Sequence, residues 1–270
     1  MSLTSFVQKA DVKARLRQEF PKPTIPRRKD PPAPPLTQNY GIVGTAFDYL
    51  LRFYLQRLNP HAISRPWVAK DSLPRLRQQG GQRLYDQGYL ILVQAQEAHA
   101  EYLETGEVTD ELLRCVLRLG RLDAVFRTHQ VEEDLQGTDD LDVQDLKNLL
   151  GLVDDNTFRT SEPMLLNPTF GLASRMVRGA DADIILGDLL IDIKTVKMLA
   201  LTGDDFHQLL GYYALSKIDK IDYAPPELEI RRIGIYFSRY GYLHVMPLEE
   251  VVDEAKFPLF LEWFEERMKV

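Results

Sequence analysis

The chain has 270 residues, 44% of them hydrophobic and 27% charged, and a formal net charge of −7. That length and composition suffice for one large domain or two small ones. No apolar run reaches the roughly 20 residues a membrane helix needs, and the single cysteine, Cys115, excludes an internal disulfide and a cysteine-built zinc site. No secretory leader pattern opens the sequence, so a cytoplasmic protein without a membrane partner is expected.

Taken in chain order, residues 1–35 carry eight basic against three acidic residues, a net +5, which leaves −12 for the remainder. Within this stretch, residues 6–20 suit a short basic helix. Residues 21–35 (PKPTIPRRKDPPAPP) read as an extended proline-rich linker. We therefore expect residues 1–36 to form a basic, flexible arm, able to lie along phosphates or to dock on a partner. Residues 37–270 are expected as a single domain, mainly helical over 37–160 and sheet-containing over 161–270.

The pattern is helical from 43 to about 57, where Phe47, Leu50, Leu51 and Tyr54 share a stripe, and again in a long helix through 90–93 that ends before Gly106. A third helix is expected over 110–128 and a fourth over 139–152. The fourth opens on an acidic cluster (Asp139, Asp140, Asp142, Asp145) that lacks the glycine and closing glutamate of a calcium loop and reads as a helix start. Acid runs at 132–134 and 249–266 supply more of the negative charge. Past about 159 the period changes to two. Strands are expected at 164–166, 180–186, 189–196, 228–237 and 242–245, with a helix at 204–217 and a closing amphipathic stretch at 248–268 split or kinked by Pro258.

The stretch from Asp183 to Lys194 carries the most chemistry. Gly187-Asp188 is a two-residue turn between Ile184-Ile185-Leu186 and Leu189-Leu190-Ile191. That loop pairs 186 with 189, and hence 183 with 192 and 181 with 194. Strand alternation then puts Asp181, Asp183, Asp192 and Lys194 on one side. Opposed cross-strand residues have Cβ atoms about 4.5–5.5 Å apart, so two carboxylates there repel unless a cation lies between them. Hard divalent cations take oxygen ligands of this kind.

The Asp, gap, Asp-x-Lys arrangement resembles the PD-(D/E)XK phosphodiesterase superfamily. Two further elements resemble its RecB-like nucleases. One is Gln208-Leu-Leu-Gly-Tyr212, where Gln and Tyr four apart share a helix face. The other is Gly44-Thr45-Ala46-Phe47-Asp48 upstream, similar to that family's Gly-Thr-x-x-His with Asp in place of His. The three occur in family order over most of the chain. The resemblance implies an α/β (α+β) fold, a restriction-endonuclease-like core of a central mixed β-sheet flanked by helices, with a largely helical N-terminal half.

It further implies a Mg²⁺- or Mn²⁺-dependent deoxyribonuclease hydrolysing phosphodiester bonds, serving repair, recombination or defence against foreign DNA, alone or within a larger complex. Asp183, Asp192, Lys194 and Gln208 would be its catalytic set. Asp48, Asp183, Asp192 and the backbone carbonyl of Ile193 would hold the metal, and Lys194 would position or deprotonate the water or steady developing charge. Asp181 is a candidate in place of Asp183 or behind it. Tyr212, Arg178 and Lys197 are candidate substrate contacts, with Arg175, Arg231 and Arg232 also flanking the strands. Glu162 is an outside candidate for an extra acid, and His207 reads as structural. DNA is the expected nucleic acid, with RNA open. The alternative is a non-catalytic nucleic-acid-binding or assembly module with a nuclease-like fold. A metal-free acid–base hydrolase is a third reading, which the lysine two residues after Asp192 fits poorly.

Overall fold

The structure, a computed structural model, describes residues 2–131 and 134–269. The acid run expected at 132–134 lies outside them at positions 132 and 133. In chain order the elements are α1 (Leu3–Val7), α2 (Ala10–Glu19), α3 (Tyr40–Leu58), β1 (Ile63–Ser64), a 3₁₀ turn (Val68–Ser72), α4 (Leu73–Thr105), α5 (Asp110–Thr128), α6 (Asp140–Leu150) and α7 (Asp155–Phe158). There follow β2 (Met164–Leu166), α8 (Gly171–Met176), β3 (Ile184–Leu186), β4 (Leu189–Lys194), α9 (Gly203–Ile218), β5 (Arg232–Phe237), a 3₁₀ turn (Ser238–Tyr240), β6 (Tyr242–Pro247), α10 (Leu248–Val251) and α11 (Phe257–Met268).

Among the described residues, six strands form one mixed sheet in sequential order, parallel at β1/β2 and β4/β5 and antiparallel elsewhere. A parallel neighbour needs a crossover. The crossover from β4 to β5 is α9, which carries Gln208 back over the sheet. The strands are apolar on both faces, as expected of a sheet covered on both sides. Leu165, Ile185, Leu190, Ile233 and Ile235 face a core with α1, α2, α9 and α11. Leu166, Ile184, Ile191 and Tyr236 face a second core with α3, α4, α5 and α6.

Local chemistry explains the helix ends. Thr109 accepts from Leu112 N at 3.2 Å to start α5, and Asp139 accepts from Leu141 N at 2.8 Å to start α6. Thr202 and Asp205 form a reciprocal capping box at α9. Gly106, at φ 76°, closes α4, which is interrupted at Gly81 (φ 66°). The acidic cluster at 139–145 is fully engaged. Besides the cap, Asp140 pairs with Arg114, Asp142 accepts from Thr37 and Asn39, and Asp145 holds Arg239.

Several expectations need correction. The stretch expected as a flexible arm is not free over residues 3–20. It forms α1 and α2, whose Leu3, Phe6, Val7, Val12 and Leu16 are buried against α9 and α11. Those apolar residues form one stripe on each of the two helices, and burying them outweighs the repulsion among the basic residues on the outer faces. Residues 21–39 do run without helix apart from a bridge of Arg28 to Leu199. Strands expected from 180 and 228 begin at Ile184 and Arg232. Between α3 and α4, Ile63–Ser64 adds a two-residue strand. The closing stretch is split into two helices, as expected, and Pro258 stands in the first turn of the second, where its missing N–H costs nothing.

Candidate functional site

β3 and β4 pair as Ile184 with Ile191, Ile185 with Leu190 and Leu186 with Leu189, the register expected from the two-residue loop. Gly187 supplies the positive φ (57°). Beyond Ile184 the ladder stops. Asp183 turns its own Oδ2 onto the Ile193 amide at 2.6 Å, substituting a side-chain acceptor for the next backbone rung. Its neighbour Asp192 and, two residues on, Lys194 extend the Leu190 row toward α9.

At this end of the sheet a cleft of about 340 Å³ gathers Gly44, Thr45, Asp48, Arg127, Asp181, Asp183, Asp192, Ile193, Lys194, Gln208 and Tyr212. The three elements singled out by sequence thus meet in one place. α3 runs close to the end of β4 here, since a Cβ on Gly44 would lie in ordinary contact, 3.7 Å, with that of Thr195. On the other flank Lys194 Nζ donates to Gln208 Oε1 at 3.1 Å, and Gln208 Nε2 donates to the Tyr212 hydroxyl at 3.0 Å. Tyr212 is buried and stacked on Phe170. Asp205, at the third position of α9, lies 3.4 Å from the ammonium.

Two carboxylate oxygens here are enclosed yet have no hydrogen-bond partner among the described residues, Asp48 Oδ1 and Asp192 Oδ2. Lys194 Nζ is 2.9 Å from Asp192 Oδ2, an ion-pair distance, but off the line of a hydrogen bond. The Asp48 side chain is 24% exposed, and its other oxygen is held by buried Arg52 at 2.5 Å.

The electrostatics follow from this crowding. Burial raises the Asp183 carboxyl well above the usual range, and the charges of Asp192 and Asp48 raise it further. Burial also raises Asp192, against the pull of Lys194, and raises Asp48, against the pull of Arg52. Burial alone would lower Lys194, but Asp192 and Asp205 outweigh it, and its pKa is raised.

An oxygen-only donor set of three aspartates and the Ile193 carbonyl suits a hard divalent cation chemically. The two enclosed oxygens without a hydrogen bond, one of them facing only the Lys194 ammonium, and acids pushed toward neutrality by one another fit such an ion as well. As they stand, no three Asp, Glu, His or Cys side chains among the described residues are gathered closely enough to ligate one ion unaided. Arg52 and the Ile193 amide each hold one oxygen of Asp48 and Asp183 aside.

The remaining expected residues sit as follows. Asp181 lines the cleft edge and pairs with Arg127 at 3.2 Å. Arg178 lines the adjoining groove. Lys197 is outside the cleft, with its ammonium 4.9 Å above the Tyr40 ring. Glu162 is exposed, and its carbonyl meets His61 across from the β3–β4 turn. Arg231 and Arg232 are tied to Glu229 and Asp188. His207 is buried beside Phe206, and burial lowers its pKa. Cys115 is a core residue, its thiol pushed up to about 12 by burial.

Sequence reading missed Arg127 and Asp205. Asp205 was legible as the fourth residue of Thr202-Gly-Asp-Asp205, a capping-box spacing. Arg127 has no local signal. It reaches Asp181 because Asp123, whose other oxygen accepts from Tyr49, anchors it at i+4 on α5. No family model matches the chain, and none of the curated proteins or solved structures compared with it is a match.

Proposed function

We propose that the chain is a metal-dependent nuclease that hydrolyses phosphodiester bonds in DNA, on a restriction-endonuclease-like core. One observation carries this reading. Asp48, Asp183 and Asp192 converge on one cleft beside Lys194, where enclosed Asp48 Oδ1 has no hydrogen-bond partner among the described residues and Asp192 Oδ2 has only the ion pair with Lys194. The resemblance of the three sequence elements to RecB-like nucleases supports it.

Asp183 and Asp192, joined by Asp48 and the Ile193 carbonyl, would hold Mg²⁺ or Mn²⁺, which when bound offsets phosphate charge and lowers the pKa of water. The other groups act through position and charge. Lys194 stays an ammonium, because its carboxylate neighbours outweigh burial. Its task is then to hold an anionic oxygen or orient a water, rather than to accept a proton. Gln208 fixes the ammonium, and the buried Tyr212 hydroxyl fixes the Gln208 amide. Arg52 aims Asp48, and the Ile193 amide aims Asp183. Such buttressing holds reacting groups in place before substrate arrives.

The test is cleavage of labelled single-stranded, linear duplex and circular DNA with Mg²⁺, Mn²⁺ or EDTA. Wild type is to be compared with Lys194→Ala and Asp192→Asn. Metal-dependent cutting that both substitutions abolish is the expected result. Cutting that survives in EDTA or in Lys194→Ala overturns the assignment. DNA binding without cutting under any condition would favour a non-catalytic module instead.

A further inference from the structure

The cleft does not end at Asp181. Gly179, Ala180 and Asp181 also wall a larger groove of about 970 Å³, which in turn shares Arg65, Arg175, Lys220 and Asp222 with a third hollow of about 650 Å³ that contains Tyr223. The three form one continuous path across the surface. In a chain of net charge −7, the part of this path beyond the cleft is lined by five cations, Arg65, Lys70, Arg175, Arg178 and Lys220. None of the five forms an ion pair with any described residue.

Four acids, Asp71, Asp181, Asp219 and Asp222, share this part of the path with the five cations, and most of them are held in place by other partners. Asp181 is paired with Arg127, and Asp222 accepts from the Thr169 hydroxyl. Asp219 accepts from the amides of Leu172 and Lys220. Asp71 alone has no such partner among the described residues. Arg65 adds a second sign, since its Nε is enclosed and without a hydrogen-bond partner there. Lone cations are ordinary on a surface, but five unpaired ones on a single concave path are the footprint of a polyanion.

Tyr223 distinguishes which polyanion. Its side chain is 62% exposed at the far end of the path, and its backbone sits at φ 65°, a conformation a bulky residue avoids. Strain of this kind persists where the surroundings impose it, and the side chain here is open to solvent. A free aromatic face stacks on a base only when that base is unpaired.

We propose that this path is the track for a single-stranded nucleic acid. Its phosphates would lie on Arg178, Arg175, Arg65, Lys70 and Lys220, and a base would stack on Tyr223, several nucleotides from the cleft. The proposal rests on the nuclease reading for its direction but not for its test.

Binding of a fluorescein-labelled oligothymidylate to the full chain carrying Asp192→Asn, in EDTA, is measured by anisotropy against salt. Combining Arg65→Ala, Arg175→Ala, Arg178→Ala and Lys220→Ala should weaken binding by at least tenfold. It should also flatten the slope of log affinity on log salt by up to about 0.7 for each phosphate left without its cation. Tyr223→Asn, which tolerates the positive φ, should weaken binding about five- to tenfold with the slope unchanged. The control Arg83→Ala/Lys269→Ala, away from the path, should bind as the parent does. Circular dichroism confirms that each variant is folded. Unchanged affinity in the fourfold variant, or duplex bound as tightly as single strand, overturns the track. Groove-dependent binding by a chain that never cuts would instead sink the nuclease reading and keep the track.

Discussion

Arg239 lies in the turn between β5 and β6, 1% exposed, and grips Asp145 of α6, also 1% exposed. Its two terminal nitrogens donate to the two carboxylate oxygens at 2.8 and 3.0 Å, and one of them also donates to the Ala33 carbonyl at 3.0 Å. Arg239→Ala would leave Asp145 charged and enclosed. Breaking a buried pair from one side costs about 3–5 kcal/mol, because the surviving charge has no water to return to. At about 2–4 °C per kcal/mol for a chain near this size, the midpoint of thermal unfolding should fall by about 6–20 °C. Urea unfolding gives the free energy directly through the midpoint and slope. Asp145→Leu combined with Arg239→Met removes both charges and should recover most of the loss. The same turn touches the site, since the Ser238 hydroxyl donates to Thr195 Oγ1 at 2.9 Å, beside Lys194. Arg239→Ala should therefore lower cleavage at temperatures where the chain is still folded. A loss below about 1 kcal/mol, or a double variant no better than the single, would refute the assignment of the pair as a buried bidentate clamp.

Three further outcomes are expected. Asp183 has a folded pKa above its ordinary 3.8, so its contribution to stability is full below the unfolded value and is lost as pH rises through the folded one. Metal-free Asp183→Asn should therefore outlast wild type in urea at pH 7, with the gap closing toward pH 4. A pH-independent difference, or the reverse order, rules that out. Asp48→Asn keeps an acceptor for buried Arg52 but removes its counter-charge and should cost about 1–3 kcal/mol in urea, while Asp48→Ala removes the acceptor as well and should cost more, about 3–5 kcal/mol. By calorimetry both should bind Mn²⁺ more weakly than wild type, and equal stability losses would remove Arg52 from the account. Gly120→Ala places a methyl 3.1 Å from the Ile42 carbonyl, so α3, which carries Asp48, must move. A loss of about 1–3 kcal/mol with reduced cleavage is expected, and full activity at wild-type stability would show that the α3–α5 approach does not set the site.

The most local features were the most legible. The hairpin register followed from a two-residue loop and strict alternation, and the Gln208–Tyr212 pair from helical spacing, because neither needs knowledge of distant chain. The helix starts at Asp110 and Asp140 were readable from their caps. The fold of α1 and α2 onto α9 was obscured by composition. Counting charges over residues 1–35 hid an apolar stripe at Leu3, Phe6, Val7, Val12 and Leu16. At the site, the diversion of Asp183 onto the Ile193 amide, and the reach of Arg127 to Asp181, depend on where the sheet ends and on the placing of α5. Those are properties of tertiary packing that no short window encodes.

The crossover that carries α9 from β4 to β5 has a kinetic consequence. Asp48 and Gln208 stand 160 positions apart in the chain, and Gln208 rides on the crossover of the parallel β4/β5 pair, which can close only after that connecting segment has folded. Contacts of such long sequence separation form slowly. Refolding from denaturant should thus restore helix content well before it restores a cleft able to act, and proteolytic fragments holding either half alone should have none.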